Sequence, residues 1–134
     1  MRPVLAIDNS NTGQFQDRPD LIGDPYASGP GCPETRTANC WVNPAAFARP
    51  APFTFGNAGR NSLRGPGTRN VDFSLVKNTF VGSGRQLQFR AEFFNLFNWI
   101  NYDNPNRTAL TPNFGRIFSA GPPRQIQLGL RFIF

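Results

Sequence analysis

Histidine is absent from the 134 residues, cysteine occurs only twice, methionine once, and acidic side chains number 8. Without His and with two sulfurs, the donor sets that hold zinc or haem cannot be assembled, so the sequence predicts no metal site and no cofactor. Apolar residues make up 39% of the chain, and no run reaches the roughly 18 that a membrane-crossing helix needs. The opening MRPVLAIDNS lacks the basic and apolar blocks of a secretory leader, with Asp8 arriving too soon for an apolar core. In excess are Gly and Pro, 13 of each, close to a fifth of the residues against an average near 12%. Long helices are thereby disfavoured, and the length allows one domain at most. Arg supplies all but one of the 14 basic side chains, and the net charge of +6 points to an anionic partner, nucleic acid among the candidates.

Cys32 and Cys40 lie in GCPETRTANC, at a spacing foreign to redox and zinc motifs. Two readings stay open on this evidence: a pair of free thiols inside the cell, or a small disulfide loop in an oxidising compartment.

Residues 1–68 read as continuous loop, dense in Asn, Pro and Gly, with no apolar period held for two helical turns. Its scattered aromatics, among them Phe15, Tyr26, Trp41 and Phe47, argue against a disordered linker and for a loop that packs on something. From Val71 the texture becomes strict alternation. Val71, Phe73 and Leu75 alternate with Asp72 and Ser74, and Leu87, Phe89, Ala91 and Phe93 alternate with Gln88, Arg90 and Glu92. A hairpin around Gly82-Ser83-Gly84 follows. A three-residue turn sets Phe73 against Phe93 and Leu75 against Ala91, so the apolar faces coincide; a two-residue turn would oppose apolar to polar throughout. After a second loop at 98–123, RQIQLGLRFIF puts Ile126, Leu128, Leu130, Phe132 and Phe134 on one face. The predicted strands are 69–81, 85–97 and 124–134, about the length that spans the ~25 Å apolar band of an outer membrane when tilted.

The expected fold class is all-β: long antiparallel strands and long loops, forming the C-terminal portion of a transmembrane outer-membrane β-barrel. A soluble sheet alternates too, but nothing else in this chain is patterned to cover the greasy faces. In lipid only a closed barrel satisfies every backbone group. The opposite faces, with Asp72, Gln88, Arg90, Glu92, Gln125, Gln127 and Arg131, suit a hydrated lumen. Short periplasmic turns and long external loops are the rule in such barrels. The glycine turn is therefore expected in the periplasm, and 1–68 and 98–123 outside the cell. Lys77 and Arg85 are expected to snorkel to the headgroups near the turn, and Phe132 and Phe134 to join an aromatic girdle.

Gln127-Leu128-Gly129-Leu130-Arg131-Phe132-Ile133-Phe134 resembles the terminal assembly signal of bacterial outer-membrane proteins, with Gln127, Gly129, Phe132 and Phe134 at the defining positions. Asn95-Leu96-Phe97-Asn98 followed by Tyr102 resembles a pattern near the penultimate strand of TonB-dependent receptors. The blocks RPDLIGDP, WVNPAAF, FGNAGRNSLRGPG, NVDFSLVKN, LQFRAEFFNLFN, PNFGRI and PRQIQLGLRFIF together look like the end of Oar-like TonB-dependent receptor barrels. This resemblance implies an outer-membrane transporter and recognition by the barrel-assembly machinery. It also implies uptake of a small ligand, energised by a periplasmic TonB-type protein through parts upstream. Such receptors are 22-stranded barrels with a plug. About three strands and no plug are found here, so the chain reads as the carboxyl-terminal fragment of a longer receptor.

Other chemistry is discounted. Ser74-Leu75-Val76-Lys77 spells S-x-x-K, but on a strand its first and last residues face opposite sides. Asp72 and Glu92 share a face with Arg90, which reads as a charge-balanced wall rather than a hydrolase pair. No enzyme is expected. The rival readings are a basic soluble β-domain holding nucleic acid through Arg49, Arg60, Arg64 and Arg69, and an outer-membrane structural or adhesive barrel without transport. Because those Arg are spread through loops, they equally suit phosphates of surface lipopolysaccharide or an anionic nutrient, and nucleic acid is not the expected partner.

Overall fold

The computed structural model describes every residue except Gln14 and Ser83. Five strands follow in chain order: β1 (Asp20–Leu21), β2 (Phe47–Ala48), β3 (Phe73–Phe80), β4 (Gln86–Phe94) and β5 (Gln125–Ile133). A 3-10 turn at Pro44–Ala46 precedes β2, and no α-helix occurs among the described residues. The chain divides into two compact units, one of Thr68–Asn101 with Gly121–Phe134, the other of Met1–Gly67 with Tyr102–Ala120.

The first of these is a three-stranded antiparallel sheet in the order β3-β4-β5. Phe73 pairs with Phe93, Leu75 with Ala91 and Thr79 with Leu87, the register that keeps apolar against apolar across a pleat of period two. The turn is closed by the Val81 N–H donating to the Arg85 carbonyl at 2.9 Å, with Gly82 and Gly84 at φ 82 and 79. Only glycine adopts that left-handed backbone freely. The middle of the expected turn, Ser83, lies outside the described residues. β5 then pairs along the far side of β4, from Gln86 against Ile133 to Phe94 against Gln125.

The strands are shorter than the predicted 69–81, 85–97 and 124–134. β4 stops at Phe94 because Asn95 sits at φ 51, which turns the chain out of the extended region. Nine residues at ~3.3 Å rise, tilted ~45°, cover roughly 21 Å of the ~25 Å apolar band. The Leu96 N–H, donating to the Val71 carbonyl at 2.8 Å, carries the contact past Asn95.

In the second unit, residues 1–67 are mostly loop, as the sequence suggests, and they pack. β1 and β2 pair through Asp20 with Ala48 and Leu21 with Phe47, and Leu5, Val42, Ala46, Phe47, Leu63, Ala109 and Phe114 form a buried core. Phe47 and Phe114 meet edge to face at 5.0 Å. Burying a side chain such as Phe114 or Leu63 is worth about 1.5–3 kcal/mol. The sheet unit opens at Thr68, beside the predicted division after residue 68, but most of 98–123, expected as a loop of the strand region, packs in the other unit. Residues Tyr102–Ala120 belong with Met1–Gly67 because Ala109 and Phe114 are needed to close that core. The backbone agrees: the Val4 N–H reaches the Arg107 carbonyl, and the Trp41 N–H reaches the Gly115 carbonyl. Gly115, at φ 75, has no room for a side chain, since a Cβ there would lie 2.8 Å from the Val42 carbonyl oxygen.

Candidate functional site

Pairing sorts the side chains of the sheet onto two faces, because alternate residues of each strand point opposite ways. On one face lie Phe73, Leu75, Leu87, Phe89, Ala91, Phe93, Ile126, Leu128, Leu130 and Phe132. Leu128 and Leu130 are each 70% exposed, so nothing among the described residues covers them. Aromatics mark both of its ends: Phe73 and Phe93 with centroids 6.1 Å apart, and Phe132 and Phe134 at 6.0 Å. Lys77 stands on this face too, opposite Phe89, and Ser74 on the other, so the S-x-x-K pair is split across the sheet.

The register places Gln88, Arg90 and Glu92 of β4 on the second face, with Arg131 opposite Gln88, Gln127 opposite Glu92 and Gln125 opposite Phe94. Asp72 falls in the same alternation one step before β3. These groups bond to one another along and across strands. Arg90 Nε is 3.2 Å from Glu92 Oε1, and the Gln88 amide donates to Asn78 Oδ1 at 2.9 Å. Val76 and Phe80 share the face, so it is mixed rather than uniformly polar.

The residues proposed for the assembly signal divide between the faces. Gln127 and Gly129 are on the polar side, Phe132 on the apolar side, and Phe134 lies one residue beyond the end of β5. The odd step from Gly129 to Phe132 makes that switch. Gly129 is paired with Arg90, and a Cβ on it would meet Arg90 Cβ at 3.8 Å.

At the other end of the sheet, Asn95 and Asn98, noted in the sequence only within a family resemblance, form a polar lock with Asp72, Trp99 and Arg124. The Asp72 carboxylate accepts the Asn95 N–H and the Asn70 amide, each at 2.9 Å. The buried Asn95 side chain accepts from the Trp99 N–H at 3.0 Å and donates to the Trp99 carbonyl at 2.9 Å. Asn98, at φ 53, accepts the Arg124 N–H at 2.9 Å, which fixes the chain one residue before β5. Asn tolerates left-handed backbone and bonds its neighbours, which is why it recurs here. The lock borders an open cleft of about 410 Å³ lined by Asp72, Phe94, Asn101, Pro122 and Gln125.

In the other unit Cys32 and Cys40 are joined as a disulfide, with Cα atoms 5.8 Å apart. The Arg36 guanidinium of the enclosed loop lies over the Tyr26 ring at 5.2 Å. Asp8 caps a tight turn. Although partial burial opposes its ionisation, the Gly13 and Thr12 N–H groups, the Ser10 hydroxyl and the Asn11 N–H hold its carboxyl below the ordinary value of 3.8. Sequence reading missed this turn and the basic clefts around Arg2, whose members are far apart in the chain. Among the described residues no cluster of three His, Cys, Asp or Glu side chains is arranged to hold a metal ion.

The model of the outer membrane beta barrel domain family matches residues 2–127 of the chain. No curated protein and no solved structure matches it.

Proposed function

The chain belongs to the outer membrane beta barrel domain family and so to the bacterial outer membrane, and from that premise we propose that it is the carboxyl-terminal part of a TonB-dependent, Oar-like receptor that takes up a small ligand. The observation that carries the reading is the two-faced sheet, apolar on one side and hydrogen-bonded polar on the other, with β3 and β5 each leaving an edge unpaired. Lipid tolerates no open edge, so further strands complete the wall. The apolar band then meets lipid acyl chains, and Asp72, Gln88, Arg90, Glu92, Gln125, Gln127 and Arg131 line the lumen.

In this reading the hairpin at Gly82 and Gly84 lies in the periplasm with Phe134, and the disulfide-stapled unit lies outside the cell, where the oxidising environment preserves the bond. Lys77 extends its ammonium from the apolar face toward the headgroups, and Arg85 does so beside the turn. The chain supplies wall, external ligand-binding loops and the signal read by the barrel-assembly machinery. Parts upstream supply the plug and the contact with the periplasmic energising protein, and no enzymatic step is assigned. What supports the receptor assignment is the run of resembling blocks from Arg18 to Phe134. The test is uptake of a panel of labelled nutrients by cells lacking either this gene or the energising protein. Loss of the same nutrient in both strains is expected; a nutrient unaffected by the energising protein rejects the receptor reading.

A further inference from the structure

In the unit of Met1–Gly67 with Tyr102–Ala120, two clefts adjoin at one side chain. The larger, about 430 Å³, is lined by Arg2, Asn61, Asn104, Pro105 and Arg107, with no carboxylate. The smaller, about 110 Å³, adds Arg18 and Arg60 across Arg2. Its one acid, Asp17, is buried and accepts the Ser10 N–H at 2.7 Å. None of these four guanidinium groups has a carboxylate in ion-pair reach, the ion pair of the described residues being Arg90 with Glu92.

Arg2 gives the second observation. Its Nη2 donates to the Gln16 carbonyl at 3.1 Å, but its Nε is buried without a hydrogen-bond partner, alone in this among the buried side-chain nitrogen and oxygen atoms of the described residues. Arg2 thus commits one Nη2 hydrogen to the protein and leaves the other donors of its fork without a protein partner among the described residues. Guanidinium groups match phosphate oxygens in a two-pronged geometry that ammonium cannot. A volume of this order takes a ligand of sugar-phosphate size.

We propose that the larger cleft is an anion site for a phosphate monoester, with the Arg2 and Arg107 guanidinium groups on the phosphate and the Asn61 and Asn104 amides on the rest of the ligand. This deepens the reading above, resting on its assignment of the unit as the external ligand-binding part, and names the substrate class. The same chemistry is presented by a soluble sugar phosphate and by the phosphorylated headgroup of lipopolysaccharide.

The test is calorimetric titration of the complete barrel, purified in neutral detergent, with glucose 6-phosphate, inorganic phosphate and glucose. Both phosphates are expected to bind, more weakly as salt rises, and glucose to bind at least tenfold more weakly than its phosphate. Arg107→Gln removes a side chain with no internal hydrogen bond and is expected to weaken phosphate binding about tenfold, as one charge-assisted contact implies. Arg2→Lys keeps the charge while losing the fork, and is expected to weaken it as well. Arg131→Gln, on the sheet, is expected to leave it unchanged. Competition by vesicles containing lipopolysaccharide, but not by phosphatidylcholine vesicles, assigns the site to the surface lipid; no competition assigns it to a soluble ligand. Equal binding of glucose and its phosphate, or unchanged affinity in both Arg107→Gln and Arg2→Lys, overturns the proposal. Because titration needs no energising protein, bound phosphate without energised uptake removes the receptor reading alone, and energised uptake without phosphate binding removes this site alone.

Discussion

Asn95 does three things at once: it adopts a left-handed backbone, fills a buried position and bonds both polar groups of Trp99. Alanine loses the side-chain bonds, at about 1 kcal/mol each, and adds a left-handed penalty of about 1–2 kcal/mol. Asn95→Ala is therefore expected to destabilise the sheet unit by roughly 3–4 kcal/mol, read as a lower denaturant midpoint of the complete barrel in detergent micelles. Phe53 presents the opposite balance. It is held at φ 64 by its N–H bond to the Asn9 carbonyl at 2.9 Å, while its ring is 75% exposed and contributes little burial. Phe53→Asn is expected to gain about 1 kcal/mol, because Asn tolerates that backbone and no core is lost; an unchanged or lower midpoint would refute the strain argument. Nothing in RPAPFTF announces this conformation, since strain at Phe53 comes from a partner, Asn9, that is remote in sequence. At Asn95 the signal was present as an Asn-Leu-Phe-Asn string, but the string does not reveal that its first residue binds Trp99 and accepts no further strand pairing.

Strands are where local pattern carries most. With a period of two, a slip of one residue would exchange the faces, so alternation together with the glycine turn between Val81 and Arg85 fixes the pairing of Phe73 with Phe93. Strand ends were less legible because a left-handed Asn, not a loss of alternation, terminates β4. The unit around Phe114 was least legible. Its core joins Leu5 to Ala109 and Phe114 without any local period, so no window of sequence shows it. The faces make a sharp paired prediction. Leu128→Arg puts a charge on the apolar face and is expected to cost about 2–4 kcal/mol in lipid, whereas Gln127→Arg on the other face is expected to change little. Folding of the complete barrel into phosphatidylcholine vesicles, followed by heat-modifiable mobility, measures both; equal costs would mean the faces are misassigned. The disulfide is testable at the same scale. By chain entropy a loop closed over a separation of 8 residues contributes about 2.5 kcal/mol. Cys40→Ser, paired with Cys32→Ser to avoid a stray thiol, is expected to lose that amount in the unit of Met1–Gly67 with Tyr102–Ala120 while leaving folding of the sheet intact.

For the molecule as a whole, the open edges of β3 and β5 and the uncovered apolar band make assembly in the membrane, rather than packing within the chain, the decisive step. Phe134 separates the two. It is 92% exposed and touches Phe132 at a centroid distance of 6.0 Å, so its removal forfeits almost no internal burial. If the residue served only stability, deleting it would scarcely change the yield of folded protein. If it is the terminal mark read by the assembly machinery, deletion in the complete barrel lowers the membrane-inserted, heat-modifiable fraction severalfold. Phe134→Tyr, which keeps an aromatic ring at the same place, then restores it. The purified complete barrel supplies the control, since refolding into detergent involves no machinery and is expected to be the same with and without Phe134. A deletion that leaves insertion in cells unchanged refutes the signal. One that impairs detergent folding equally shows that Phe134 acts through stability instead.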